Sequence, residues 1–178
     1  MKYNIKLPYN ETRDIEGEEK ILNLLCRNSV ELKKSTEPKT LFKDIYIDKY
    51  SLDAHCWCEK NGEVVFDIDY PERDIKIQLL HRLTDKKIYK KFDPLLQKLC
   101  FKSIEPHIEE CFKSVEDEVK IKIHKKMFAE ILLAGSQDCP NRCFLFAYCY
   151  KLLNPDVELV CGSMGWEGED GEPHYEWG

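Results

Sequence analysis

The stretch HCWCEKNGEVVFDID, residues 55–69, decides how the rest of the chain is read. Two apolar-rich runs flank Lys60-Asn61-Gly62, and asparagine followed by glycine tolerates the positive φ angles of a tight hairpin turn. An antiparallel hairpin is therefore predicted from about Ala54 to Asp69, ended by Pro71. In such a hairpin, residues whose numbers sum to roughly 123 face one another, which brings His55 near Asp67 or Asp69. A carboxylate across from an imidazole fixes the ring tautomer and supports the imidazolium.

Working outward, residues 74–135 read as mainly helical, inserted between the hairpin and a later helix. Asp93-Pro94 starts a helix, Pro106 breaks one or opens the next, and VEDEVKIKIHKKMFAEILLAG runs helically to Gly135. DIKIQLL, from Asp74, fits a strand as well as a helix. A further helix covers Cys143 to Leu153, with Leu145, Phe146, Cys149, Leu152 and Leu153 on its inner side, and Asn154-Pro155 stops it. VELVCGSM is then a short strand, GWEGEDGEP a glycine-rich acidic loop, and HYEWG closes the sequence. Upstream, a helix is expected from about Asp14 to Arg27, a polar loop over residues 29–40, and a strand at FKDIYIDKY. KYNIKLPY suits a short edge strand. These elements define an α+β protein of one domain, 1–178: a small antiparallel sheet packed on the Cys143 helix.

Composition narrows the class. The chain is 43% hydrophobic and 34% charged, ordinary for a folded globular protein. A net charge of −6 argues against a general nucleic-acid binder. Lys86, Lys87, Lys90 and Lys91, and again Lys120, Lys122, Lys125 and Lys126, stand beside acidic residues and read as solvated faces. The N-terminal residues lack the apolar core of a secretory signal, and no run is long and apolar enough to span a membrane. Nine cysteines without an export signal point to a reducing, cytoplasmic setting, where thiols are free, catalytic or metal-bound. Cys26, Cys100, Cys111 and Cys149 fall at apolar helical positions and read as small buried hydrophobes.

Cys143 is different, because it opens a helix. Unpaired amides and the helix dipole favour a thiolate there, and Asn141 and Arg142 add a cap and a positive charge. A nucleophilic thiol also needs a base held by a third group. His55 with Asp67, or with Asp69, supplies both from the hairpin.

HCWCEKNGEVVFD and QDCPNRCFLFAY together resemble the papain-like and transglutaminase-like cysteine fold. In that group a histidine is followed two residues later by tryptophan, then by a turn and an aspartate, and the nucleophile opens a helix with an aromatic after it. The resemblance implies Cys143 as nucleophile, His55 as acid–base, Asp67 (alternate Asp69) as orienting acid and Gln137, six residues before Cys143, as oxyanion donor. It also implies acyl transfer through a thioester, on a peptide, isopeptide or other amide bond, with no cofactor. The similarity covers two blocks of about 60 residues in all, and the order is permuted, since His55 precedes Cys143. His174 keeps the usual order as an alternate base, but only four residues follow it, leaving no strand for an acid.

A second reading is a non-enzymatic binding domain with plain buried thiols or structural zinc. Cys56, Cys58, Cys139 and Cys143 could supply four thiolates, or three with His55. The spacings Cys-x-Cys and Cys-x-x-x-Cys are not the usual knuckle, and on a strand Cys56 and Cys58 share a face that His55 does not. HYE at His174 has the deaminase form but follows the cysteine pair instead of preceding it.

Overall fold

The computed structural model describes residues 15–35, 55–68, 87–135, 143–167 and 173–174. In chain order the elements are α1 (Ile15–Ser35), β1 (His55–Lys60), β2 (Glu63–Phe66), β3 (Lys87–Lys91), α2 (Pro94–Val119), α3 (Lys125–Gly135), α4 (Cys143–Leu153), β4 (Glu158–Glu167) and β5 (Pro173–His174). The fold is α+β. The strands form one antiparallel sheet in the order β2-β1-β4-β3, with β5 also paired to β4. FKDIYIDKY, KYNIKLPY and DIKIQLL lie outside the described residues.

The hairpin turn forms as its sequence requires, with Asn61 at φ 55° and Gly62 at φ 82°. Lys60 then pairs with Glu63 and Glu59 with Val64. The next pair is Cys58 with Phe66, so Val65 is an extra residue and the ladder is bulged there. Beyond the bulge the pair sum is 124 instead of 123, and every later residue of the strand changes face relative to the regular count. Had the sum stayed at 123, Asp67 would stand opposite Cys56. With the bulge, Phe66 shares the face of Cys58, where it stacks on Tyr150 of α4 at 4.4 Å. Asp67 is turned to the other face, that of His55 and Trp57.

β4 is the central strand and aligns its neighbours. Gly162 pairs with His55 on one side and with Lys91 on the other. A Cβ at Gly162 would fall 2.1 Å from the Lys90 carbonyl oxygen and 2.6 Å from the Trp57 ring, so only glycine lets the indole cross β4 here. α4 covers the opposite face through Leu145, Phe146, Ala147 and Cys149, all buried. The Cys58 thiol donates to the Ala147 carbonyl at 3.2 Å. Lys151 closes the last turn of α4, donating to the Pro155 carbonyl at 2.8 Å and to that of Val157.

Several helical expectations need correction. α1 continues through Ser35, because nothing from Ser29 to Ser35 breaks a helix and the first proline after it is Pro38. Residues 74–135 are not all helix beyond their start, since β3 occupies Lys87–Lys91. Pro106 neither breaks nor opens α2 but sits inside it, on the exposed side. The buried stripe of Ile104, Ile108, Cys111, Phe112 and Val115 carries the helix past the missing amide. The break comes instead at Lys120, which takes a left-handed conformation (φ 59°, ψ 29°) with no glycine present. The Glu116 carboxylate accepts from the Ile123 amide at 2.9 Å, and the His124 ring accepts from the Lys126 amide at 3.3 Å, so α3 starts afresh. Asp93 caps α2 as expected, accepting from the Leu95 and Leu96 amides at 2.9 and 3.0 Å. Among the described residues, no helix is long and apolar enough to cross a membrane.

Candidate active site

β1 carries His55, Trp57 and Glu59 on one face, and the bulge delivers Asp67 to it. Asp67 is fully buried, and the His55 side chain is 11% exposed. His55 Nε2 lies 3.0 Å from Asp67 Oδ1. The ring also hydrogen-bonds the thiol of Cys143, the first residue of α4. An imidazole thus bridges a thiol and a carboxylate brought together from 55, 67 and 143.

Two opposing effects act on His55. Burial is the larger single one and disfavours the charged ring. The charges of Asp67 and Cys143, and the hydrogen bonds to both, act the other way and together prevail, holding the imidazolium well above the ordinary histidine range. The arrangement therefore favours a charged ring beside the buried Asp67 carboxylate.

Aromatic packing fixes the ring. Trp57, fully buried, stacks on His55 at 5.8 Å between centroids and 23° between planes. Trp57 is anchored in turn, its Nε1 donating to Glu59 Oε1 at 2.8 Å while Lys91 from β3 pairs with Glu59 Oε2. Tyr89 of β3 meets Trp57 at 5.0 Å and donates its hydroxyl to Asp67 Oδ2 at 2.7 Å. Sequence reading gave Trp57 no chemical task, took Lys91 for part of a solvated face and passed over Tyr89. The signal for those two lay in the alternation of KIYKK, which was read as part of a helical segment.

The other thiols are placed differently. Cys56 and Cys161 oppose each other across β1 and β4, with sulfurs 3.9 Å apart, and Cys161 also hydrogen-bonds Cys100. Burial pushes the Cys56 thiol up to about 11 and that of Cys58 up to about 12. Burial likewise raises Cys149 and Cys161, and the hydrogen bond with Cys161, then burial, raises Cys100. These are core groups, protonated and inert at neutral pH. Cys26 departs from its reading as a plain buried thiol, being disulfide-bonded.

Of the remaining candidates, Gln137, Asp69 and Cys139 lie outside the described residues. His174 sits on β5, its backbone paired with Trp166, four residues along β4 from the partner of His55. That spacing is roughly 13 Å at about 3.3 Å per residue. Among the described residues, no group of three or more His, Cys, Asp and Glu side chains is disposed to hold a metal, and Cys56 and Cys58 face the core with their backs to His55. Beside Cys143, Phe144 joins Ile104 and Ile108 of α2, Tyr148 and Leu159 around an apolar hollow that also includes Glu105.

No protein-family model, curated protein or solved structure matches the chain.

Proposed function

We propose that this chain is a cysteine hydrolase or acyltransferase, akin to papain-like and transglutaminase-like enzymes but with the histidine and acid placed before the nucleophile. The observation that carries the reading is the His55 ring, hydrogen-bonded to the Cys143 thiol and with Nε2 3.0 Å from Asp67 Oδ1. In this mechanism the proton of the thiol–imidazole pair rests on His55, and Cys143 Sγ adds to an amide or isopeptide carbonyl. The tetrahedral intermediate collapses to a thioester as His55 returns the proton to the departing amine. Water or a second amine, deprotonated by His55, then attacks the thioester and releases the acyl group. Asp67 holds Nε2 and stabilises the imidazolium throughout. The Cys143 amide, at the start of α4, is the expected backbone donor to the developing oxyanion, with Gln137 as its companion.

The substrate class is a peptide or protein acyl group. Among the described residues seven thiols are free, which fits a reducing compartment such as the cytoplasm, whereas the disulfide at Cys26 does not.

The test is brief labelling of the folded protein with substoichiometric iodoacetamide at pH 6, with the modified residues mapped by mass spectrometry. Cys143 should be alkylated ahead of every other thiol, and the preference should vanish in His55→Ala. Equal labelling of Cys143 in both proteins would overturn the proposal, as would one bound zinc in native mass spectra with no favoured thiol. Peptidyl amides are the first substrates to offer a selectively reactive protein.

A further inference from the structure

Asp67 is fully buried, and each of its oxygens has its own partner. Oδ1 faces His55 Nε2 at 3.0 Å, and Oδ2 accepts from the Tyr89 hydroxyl at 2.7 Å. The two partners come from strands that are not neighbours, since β4 lies between β1 and β3. Tyr89 reaches across because Gly162 leaves β4 bare at the crossing, and the Trp57 ring that fills the space packs on both Tyr89 and His55.

A buried carboxylate with a single donor can turn about its last torsion and offer either oxygen. A second donor on the opposite oxygen removes that freedom and also stabilises the anion. We propose that Tyr89 is a positioning residue for the site: its hydroxyl pins Asp67 so that Oδ1 stays on His55, and through that ring it holds the imidazolium beside Cys143. This inference rests on the proposed thiol–imidazole chemistry and adds a fourth residue to it, from the far strand of the sheet. Tyr89 reaches His55 by its hydroxyl through Asp67 and by its ring through Trp57, and removing the hydroxyl alone tests the first route.

The experiment is a cycle of wild type, Tyr89→Phe, Asp67→Asn and the double variant. Each is followed by NMR titration of the His55 ring and by the rate of Cys143 alkylation at pH 6. Phenylalanine removes only the hydroxyl, and the unfolding midpoint and near-ultraviolet circular dichroism check that the fold is kept. In Tyr89→Phe the His55 titration should fall by about one pH unit, the equivalent of one hydrogen bond to a charged group. Alkylation should slow several-fold. In the Asp67→Asn background the same change should add nothing, because the hydroxyl no longer has an anion to hold.

A shift of equal size in both backgrounds would overturn the inference by showing that Tyr89 acts through general packing. An unchanged titration in Tyr89→Phe, with a clear fall in Asp67→Asn, would overturn it while leaving the thiol–imidazole–carboxylate reading intact. If Asp67→Asn also moved neither quantity, that reading and this inference would fall together. Should Tyr89→Phe fail to fold, the wild-type chain still carries the test. A slowly exchanging Tyr89 hydroxyl proton should shift with the His55 titration, and an indifferent one would overturn the inference.

Discussion

Replacing Asp67 by asparagine changes almost nothing in shape and removes one charge from the centre of the site. The size of the response follows from the geometry. The carboxylate oxygen stands 3.0 Å from His55 Nε2 with no exposed surface, so the two charge centres are about 4 Å apart. At an effective dielectric of about 20, such a pair attracts by about 4 kcal/mol, an upper bound that the desolvation of both groups reduces. An opposite charge at this range moves a titration by about 1–3 units, each worth about 1.4 kcal/mol. Asp67→Asn should therefore lower the His55 titration by about 1–3 units, measured on the imidazole resonances with a His55-deleted variant for assignment. With the attraction gone, burial, which disfavours the charged ring, is opposed by Cys143 alone among the named causes. Alkylation of Cys143 at pH 6 should slow by about tenfold or more. An unchanged or raised His55 titration, in a protein with native circular dichroism, would refute the claim that Asp67 governs the charge on this ring.

Three further outcomes are expected. Gly162→Ala drives a Cβ into the Lys90 carbonyl and the Trp57 ring, so β3 or the indole must yield. A loss of about 1–3 kcal/mol, read as a fall of several degrees in the thermal midpoint, should accompany slower Cys143 alkylation, whereas an unchanged midpoint would contradict the crowding. Lys91→Met leaves the buried Glu59 carboxylate with the Trp57 indole but without its cation, and should destabilise by about 1–3 kcal/mol in urea unfolding. Adding Glu59→Gln should recover most of that loss, and failure to recover would show that Lys91 acts by packing. Since the folded-state pKa of His55 is raised, the stability that its protonation contributes is fully present below the unfolded value near 6.5 and is lost as pH rises through the folded value. Urea midpoints of wild type and His55→Gln should therefore differ most at mildly acidic pH and converge towards alkaline pH. A gap that widens with rising pH would reverse the assigned sign.

The hairpin and the Cys143 helix were legible because their signals are local. Asn-Gly marks the turn, and an apolar run stopped by Asn154-Pro155 marks α4. The pairing of His55 with Asp67 was named from a pair sum that, followed strictly, puts Asp67 opposite Cys56 in the core. What rescues it is the bulge at Val65, which arises from how Phe66 packs on Tyr150 and leaves no mark in composition. β3 was hidden for a related reason. Its lysine-rich sequence looks like a solvated helix face until β4 offers it a ladder, after which Tyr89 and Lys91 find the site from two strands away. The break at Lys120 was equally silent, because no glycine marks the left-handed residue and the bonds beyond it, Ile123 to Glu116 and Lys126 to His124, form only in the fold.

The bulge has a consequence for how such a hairpin can change over time. Which face the acid occupies is set by parity, so part of the hairpin's information is stored as a residue count and not in any side chain. Removing Val65 itself would return β2 to regular pairing with Asp67 still on the face of His55. Adding one residue between Phe66 and Asp67 would leave every side chain present and send the carboxylate towards the core. Point substitutions along β2 explore none of this. A single-codon insertion or deletion does, and depending on its place it separates a paired acid and base from an inert hairpin of nearly identical composition.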